Sequence, residues 1–506
     1  MAKAKKQISK VLVANRGEIA CRIFKTCREM GLQTVAVYSE ADQNAPFVKM
    51  ADQSVCIGAA PASESYLVIE KILAAAKETG ANAIHPGYGF LSERSAFCKA
   101  VEDAGLAFIG PKAPAIDAMG DKVSAREWAT KAKVPVVPGT STPLKAVSEV
   151  EGLAKEFGFP VLLKAAAGGG GKGMRVVKEV SEIKEAFNLA KSEAAQSFGD
   201  DRLYLEKYIT NPRHVEAQII RDEHGQGFFL FERECSLQRR HQKVIEEAPC
   251  SYLKQEVRDK IAKASLSLAD AIDYRGVGTI EFLVDDNQEF YFLEMNTRLQ
   301  VEHCVTEEIL GLDLVRLQLL VAMGQKLPGD LSKRQPQGHA IECRIYAEDP
   351  ENNFMPSPGL LKILTPPTGP GIRHDSGVEQ GSVVSIYYDP MIAKLIAFGP
   401  DREAARVRLL QALEAYHLSG VKNNISFLMQ LLKDPVYIEE KMNTQYIDKN
   451  PQIIKREDHS ELPLEVLLGV VALSESDKVK QNSSSPNSVQ KSSQNSPWWQ
   501  QGQVQS

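Results

Sequence analysis

The sequence predicts a mixed α/β and α+β protein: a doubly wound parallel sheet first, then a small α+β module, then a strand-rich region of mixed pairing. Three observations carry this reading. The first third alternates short β-rich runs with helical segments, the rhythm of βαβ units. A run of glycines after Lys164 lies between two β-rich segments instead of opening a helix. From His214 onward, strand-like runs follow one another in hairpin-like pairs.

Each element has a local reason. Lys10–Ala14 is apolar and β-rich. Glu18–Met30 places Ile19, Ile23, Phe24 and Cys27 on one helical face, and Gly31 ends it. Strands at Thr34–Tyr38, Ser54–Ile57, Ala83–Ile84 and Ala107–Ile109 alternate with helices near Tyr66–Glu78 and Glu93–Ala104. One helix near Ala113–Lys131 leads to the proline-rich stretch Pro135–Pro138. The second region holds strands Val161–Lys164 and Met174–Lys178, a helix near Ser181–Gln196 and a strand Leu203–Lys207. In the third, His214–Arg221 and Gly227–Glu234 read as a hairpin and Tyr252–Ile272 as a helix. Gly278–Val284 and Glu289–Asn296 bracket the turn Asp285–Gln288. Thr306–Met323 reads as one helix with Thr306 as N-cap and Glu307 and Glu308 in its first turn. Helices near Arg402–His417 and Asn424–Leu432 follow.

Composition removes several function classes. The chain has 506 residues, which suggests about three domains. A formal net charge of −5 does not suit a nucleic-acid binder. No apolar run reaches the about 18 residues of a membrane span, and the basic start is followed by Val11-Leu-Val-Ala14, not by a secretory core. The eight cysteines contain no Cys-x-x-Cys pair, so reduced thiols in the cytoplasm are expected. From 481 to 506, 18 of 26 residues are Ser, Gln or Asn, a composition that predicts disorder around Trp498-Trp499.

Three segments carry chemistry. Gly168-Gly-Gly-Gly-Lys-Gly173 joins two strands, and its backbone N–H groups can wrap a polyphosphate, with Lys164 and Lys172 beside it. The plainer alternative is a mobile hairpin without a ligand. Glu294-Met-Asn-Thr-Arg-Leu-Gln-Val-Glu302, if extended, puts Glu294, Asn296, Arg298, Gln300 and Glu302 on one face. The preceding Phe290-Tyr-Phe-Leu293 reads as a central buried strand, which favours a polar file opening into a cleft over the alternative, an edge strand with a solvated face. With a two- or four-residue turn, Glu281 lies across from Phe292 and diagonal to Glu294, about 7–8 Å away; a three-residue turn would separate them. Paired carboxylates near phosphates suit Mg²⁺. Gln238-Arg-Arg-His-Gln-Lys243 is either a solvated basic face or a pocket for small anions.

Together these segments resemble the biotin carboxylase family of ATP-grasp enzymes, over about Lys10 to Tyr446. The resemblance rests on Ala14-Asn-Arg-Gly-Glu-Ile-Ala20, His85-Pro-Gly-Tyr-Gly-Phe-Leu-Ser-Glu93, Met119-Gly-Asp-Lys122, the glycine loop, Glu234-Cys-Ser-Leu-Gln-Arg-Arg-His-Gln-Lys243, Glu294–His303 and Gly338-His-Ala-Ile-Glu-Cys-Arg344. Lys172 and Pro390 stand where some members have Arg and Ser.

The resemblance implies ATP- and bicarbonate-dependent carboxylation of biotin on a carrier protein through carboxyphosphate. It implies phosphate contacts from Lys122 and Lys164, a flap with Gly170 and Gly171, adenine contacts from Glu206, Lys207 and Ile209, and His214 and His241 lining the nucleotide pocket. Glu281, Glu294 and Asn296 would hold Mg²⁺ or Mn²⁺. Lys243, Arg298, Gln300 and the Val301 amide would hold bicarbonate, Glu302 would be the base, and Arg344 would meet biotin. The implied layout is a Rossmann-like domain over 1–119, a linker helix over 120–135, an ATP-grasp lid over 136–208, its core over 209–335, a C-terminal mixed β domain over 336–450 and a tail over 451–506, mostly disordered after 475.

The expected setting is a homodimeric subunit of an acetyl-CoA carboxylase, working in fatty acid biosynthesis with a separate biotin carrier and carboxyltransferase. An apolar-faced helix at Glu461–Ser474 and Trp498-Trp499 are candidate partner contacts. Propionyl-CoA, other acyl-CoA and pyruvate carboxylases are the alternatives, as is another ATP-grasp acyl-phosphate ligase. A dehydrogenase built on Asn15-Arg-Gly17 has too few glycines for a dinucleotide loop.

Overall fold

The computed structural model describes residues 7–140, 142–165, 174–198, 200–240 and 242–454. The first strands are β1 (Lys10–Val13), β2 (Gln33–Ser39), β3 (Gln53–Gly58), β4 (Ala83–His85) and β5 (Ala107–Phe108), with helices α1 (Gly17–Glu29), α2 (Pro46–Met50), α3 (Ile69–Thr79) and α4 (Ser95–Asp103) between them. The strands form a parallel sheet ordered β3-β2-β1-β4-β5. Alternation explains why both faces are covered. Val11, Val13 and Ala36 pack with Ile19, Ile23, Phe24 and Cys27 of α1, while Leu12, Val35 and Val37 pack with Ile72 of α3 and Phe97 of α4.

The order reverses between β1 and β4, and there the two following loops interlock. Asn15 Nδ2 donates to the carbonyls of Pro86 at 2.8 Å and Tyr88 at 2.7 Å. Gly87 sits at φ +64°, where an added Cβ would lie 2.8 Å from Asn15 Nδ2.

The segment read as one helix over Ala113–Lys131 is two: α5 (Ala113–Gly120) and α6 (Lys122–Lys131). Asp121 breaks it, because its backbone is extended and its carboxylate accepts from the Ser124 N–H at 2.8 Å as an N-cap. Lys122 thereby becomes the first residue of a helix.

Next come α7 (Val147–Phe157), β6 (Val161–Ala165), β7 (Met174–Val177), α8 (Ile183–Phe198) and β8 (Leu203–Lys207). The strands form an antiparallel sheet ordered β7-β6-β8. The two strands expected on either side of the glycines are therefore present and paired, while Gly170, Gly171 and Lys172 lie outside the described residues. The stretch Pro135–Gly139 ties this module to the next: the Phe292 N–H donates to Pro135 O at 2.7 Å and the Lys207 N–H to Pro138 O at 2.8 Å.

The largest sheet has eight strands: β9 (Arg213–Arg221), β10 (Gly227–Arg239), β11 (Gln242–Ala248), β12 (Gly276–Val284), β13 (Phe290–Asn296), β14 (His339–Tyr346), β15 (Ile372–Ser376) and β16 (Met391–Gly399). Their order is β13-β12-β9-β10-β11-β14-β16-β15, antiparallel throughout. Strands on either side of residue 336 thus share one sheet. One face packs on α9 (Gln255–Ala271) through Val215, Ala217, Ile219, Ile280 and Phe282. At the other end, β14 and β16 pack on α12 (Arg402–Glu414) and α13 (Ile425–Lys433).

Three further expectations change. Phe290–Leu293 belongs to the outermost strand of the sheet, so it is not central; Leu293 is 43% exposed. The helix expected over Thr306–Met323 is α10 (His303–Leu310) and α11 (Leu314–Ala322), separated by Gly311 at φ +59°. Thr306 lies inside α10, not at its cap, and Glu307 pairs with Arg22 at 2.7 Å. Finally, five residues separate the paired Val284 and Phe290, and a bulge follows: Phe282 pairs with Phe292, but Glu281 pairs with Glu294. An odd-length turn alone would have put the two carboxylates on opposite faces. The extra residue, Leu293, restores their parity and puts them side by side.

The bulge completes a row across four strands: Arg233, Glu216, Glu281 and Glu294 are successive cross-strand partners. Arg233 is fully buried and pairs with Glu216; it also donates to Gln218 at 2.7 Å, Thr306 at 2.9 Å, Gln300 at 2.6 Å and Thr279 at 3.2 Å. Removing one partner of such a pair strands the other charge, at a cost of about 3–5 kcal/mol. Arg233→Ala should lower the urea unfolding midpoint accordingly. An unchanged midpoint would show that the row is not under this constraint.

Candidate active site

Lys243 sits near the start of β11, after a bulge between β10 and β11 re-aims the strand. Its Nζ donates to three carboxylates: Glu216 Oε2 at 2.5 Å, Glu281 Oε1 at 2.9 Å and Glu302 Oε1 at 2.7 Å. All three acids are buried. Burial works against the Lys243 charge, but the three carboxylates prevail and hold its pKa well above the usual lysine value. Burial alone would raise Glu302 and Glu281, yet Lys243 leads the charges that hold both well below the usual range. Arg344 and Arg233 add to the effect on Glu302, and His214 on Glu281.

Glu281 is the hub of the polar face. Its Oε1 also accepts from Asn296 Nδ2 and Gln300 Nε2, both at 2.8 Å. His214 Nε2 lies 3.0 Å from Oε2. Glu294, directly opposite, is pushed the other way: burial and the Glu281 charge raise its pKa, and Lys122, His214 and Lys243 only partly compensate. Two opposed carboxylates, one destabilised as an anion, with an amide oxygen two residues on, are a hard-oxygen set that fits a divalent cation. Glu294, Asn296 and Lys122 also line a cavity of about 380 Å³, together with Phe90, Glu93 and Met119.

Beyond Asn296 the strand ends, so the polar file does not continue as one extended face. Arg298 turns back: Nε donates to Glu93 Oε2 at 2.9 Å and Nη2 to Asn296 Oδ1 at 2.9 Å. Gln300 bridges Arg233 and Glu281. Val301 presents its carbonyl to Lys394 Nζ at 2.8 Å. Glu302, just before α10, divides its oxygens between Lys243 and Arg344, whose Nη2 is 2.9 Å from Oε2. Arg344 Nε meets Glu246 at 2.6 Å.

In the second module, Lys164 Nζ and Arg126 Nη1 converge on Glu206 Oε1 at 2.5 and 2.9 Å. Lys207 donates to Phe157 O at 2.8 Å, and Ile209 is buried. His241 lies outside the described residues, as do Glu461–Ser474 and Trp498-Trp499.

The structure therefore brings together Lys243, Glu281, Glu294, Asn296, Gln300, Glu302, His214 and Arg344. It holds Arg298 on Glu93 and Asn296. The sequence reading gave no site role to Glu216, Arg233, Glu93, Glu246 or Lys394, although Glu93 lies in one of the motifs it used. One signal was available: His214, Glu216 and Gln218 alternate with apolar Val215, Ala217 and Ile219, so one face of that strand is polar.

Comparison with known proteins supports one family. Family models match residues 7–116 (biotin carboxylase, N-terminal domain), 121–329 (carbamoyl-phosphate synthase L chain, ATP binding domain) and 342–449 (biotin carboxylase C-terminal domain). A biotin carboxylase of Halalkalibacterium halodurans is 49% identical over 444 residues, covering 88% of this chain and 98% of that protein. The mitochondrial propionyl-CoA carboxylase alpha chain of Sus scrofa is 50% identical over 444 residues, 87% of this chain, and the match spans 61% of its length. The biotin carboxylase domain dimer of Hydrogenobacter thermophilus 2-oxoglutarate carboxylase, solved with MgADP, ADP and bicarbonate, is 45% identical with a TM-score of 0.81, covering 89% of this chain and 99% of that one. Among the described residues, no helix is long and apolar enough to cross a membrane.

The Arg344–Glu246 contact has a pH consequence. Burial pushes the Glu246 carboxyl up, Arg344 opposes it and Glu302 adds repulsion, leaving it at about 7 against an ordinary 4.5. The folded state therefore binds this proton more tightly than the unfolded chain. Its contribution is complete below about pH 4.5 and is lost as pH rises through about 7. Glu246→Gln should flatten that loss: between pH 5 and pH 8 the urea midpoint should fall further in the wild type than in the variant. Parallel profiles would contradict the assignment.

Proposed function

The chain belongs to the biotin carboxylase family, a family of ATP-grasp ligases, and from that premise we propose that it carboxylates carrier-bound biotin with MgATP and bicarbonate, as part of a biotin-dependent carboxylase. The supporting observation is the Lys243 ammonium held among Glu216, Glu281 and Glu302, with Arg344 on the second oxygen of Glu302. A buried cation with three carboxylate partners can transfer donors to an incoming anion without being desolvated anew.

Lys122 and Lys164 bind the ATP phosphates, with Gly170 and Gly171 in the covering flap. Glu206, Lys207 and Ile209 meet the adenine, and His214 and His241 line the pocket. Glu281, Glu294 and Asn296 hold Mg²⁺ or Mn²⁺, which when bound neutralises phosphate charge. Lys243, Arg298, Gln300 and the Val301 amide bind bicarbonate.

Glu302 is ionised throughout the working pH range, so it can always accept a proton. Its low pKa makes it a weak base while Lys243 and Arg344 are on it. When bicarbonate takes donors from Lys243, Glu302 loses counter-charge and its proton affinity rises at the moment the proton must leave bicarbonate. Bicarbonate then attacks the γ-phosphate, the bond to the β-phosphate oxygen breaks and ADP leaves, giving carboxyphosphate, a labile product that must be kept from water. Arg344 has five N–H donors, two of which serve Glu246 and Glu302. The remaining donors can stabilise charge on the ureido oxygen of biotin as its N1′ is deprotonated.

These residues recognise ATP, bicarbonate and biotin, so they do not choose the final acceptor. The names of the matched relatives support an acyl-CoA or 2-oxo acid acceptor and give acetyl-CoA no particular support. A carboxyltransferase partner selects it, and a homodimer is the proposed assembly.

Bicarbonate plus biotin should accelerate ATP hydrolysis, and a biotinylated carrier should become carboxylated. ATP turnover indifferent to both additions would overturn the reading. Glu302→Gln should slow bicarbonate-dependent turnover by about 10²-fold or more with MgATP binding retained; an equal loss of nucleotide affinity would make Glu302 structural. Glu294→Gln should raise the Mg²⁺ concentration needed for half-maximal turnover, and unchanged turnover at limiting Mg²⁺ would remove Glu294 from the metal set.

A further inference from the structure

Lys394 lies in β16, in cross-strand register with Arg344, and is fully buried. An ammonium without water must find acceptors inside the protein. Nζ donates to the Val301 carbonyl at 2.8 Å and lies 3.1 Å from Cys304 Sγ and 3.3 Å from Glu18 Oε1. Titratable groups face it from four elements: Glu18 on α1, Cys304 on α10, Glu342 on β14 and Asp375 on β15, the Cys304 thiol itself being pushed well above its ordinary pKa by burial. Burial opposes its charge, and these groups outweigh burial, so it stays cationic.

Its partners come from separate parts of the chain. Glu18 belongs to the N-terminal parallel sheet's first helix, Val301 to the segment between β13 and α10, and Lys394 itself to the far end of the large sheet. The Val301 carbonyl is the oxygen of the Val301–Glu302 peptide unit. That unit is planar, so fixing its oxygen fixes the plane that leads into Glu302. The Glu302 carboxylate is then held between Lys243 and Arg344 at its far end.

We propose that Lys394 is a positioning residue for bicarbonate activation, setting through the Val301 carbonyl where the Glu302 carboxylate meets the anion; this rests on the function proposed above. Among the described residues, its hydrogen bonds and ion pair go to Val301, Cys304 and Glu18, none of them proposed for ATP. Its loss should therefore penalise bicarbonate and spare the nucleotide.

The test compares Lys394→Met and Glu18→Gln with the wild type in the full chain. For Lys394→Met, kcat/KM for bicarbonate should fall about 10–100-fold, the scale of a misplacement of about 1 Å, with KM for ATP within about 2-fold. Hydrogen exchange should quicken in the peptide spanning 297–305. Glu18→Gln keeps the side-chain shape and leaves the ammonium in place. It should show the same selectivity at smaller amplitude, and it carries the test if Lys394→Met does not fold. Equal penalties on bicarbonate and ATP, or no change in either variant, would overturn the proposal. Wild-type turnover independent of bicarbonate would instead remove the proposed function, and the exchange comparison alone would then decide whether Lys394 orders this segment.

Discussion

The Lys243 ammonium is the constraint from which the rest of the site follows. Glu216, Glu281 and Glu302 come from two strands and a loop, all buried, and would repel one another strongly without a cation between them. Buried charges persist only when paired and hydrogen-bonded, and here one side chain satisfies that condition for three acids at 2.5, 2.9 and 2.7 Å. The same arrangement makes the site responsive. An anion that drew Lys243 toward itself would loosen the hold on Glu302 and Glu281 together, and under the proposed function this would link bicarbonate binding to the proton acceptor and to the metal carboxylates.

Backbone irregularities aim these groups. A regular β12–β13 ladder after a five-residue turn would have split Glu281 from Glu294, and the bulge at Leu293 reunites them. A second bulge between β10 and β11 turns Lys243 toward Glu216 and Glu281. The N-terminal parallel sheet contributes at a distance: Glu93 anchors Arg298, and Glu18 lies 3.3 Å from Lys394. Residues that sit far apart in sequence thus act on one short segment, 298–302.

The architecture was legible where periodicity was strong. The βαβ rhythm, the two strands flanking the glycines and the hairpins of the third region are all present. It failed where one residue decides geometry. Asp121 split a helix by capping, Gly311 split another through a left-handed backbone, and the Leu293 bulge changed a register that alternation cannot encode. In the site, the residues on the Glu294–Glu302 stretch were found because polar residues in a row are visible. Glu216 and Arg233 were not, because their importance lies in cross-strand neighbours distant in sequence. Arg298 was assigned to bicarbonate by resemblance; that its guanidinium is held by Glu93, from the loop after β4, was not visible in the sequence.

The most direct measurement is a pair of calorimetric titrations on Lys243→Gln, one with MgADP and one with bicarbonate. If Lys243 is the shared counter-ion that bicarbonate recruits, bicarbonate binding should be lost. MgADP affinity should hold or increase, because Glu281 no longer shares its charge with an ammonium. A parallel loss of MgADP and bicarbonate affinity would contradict the account and reduce Lys243 to a residue that merely keeps the strands together.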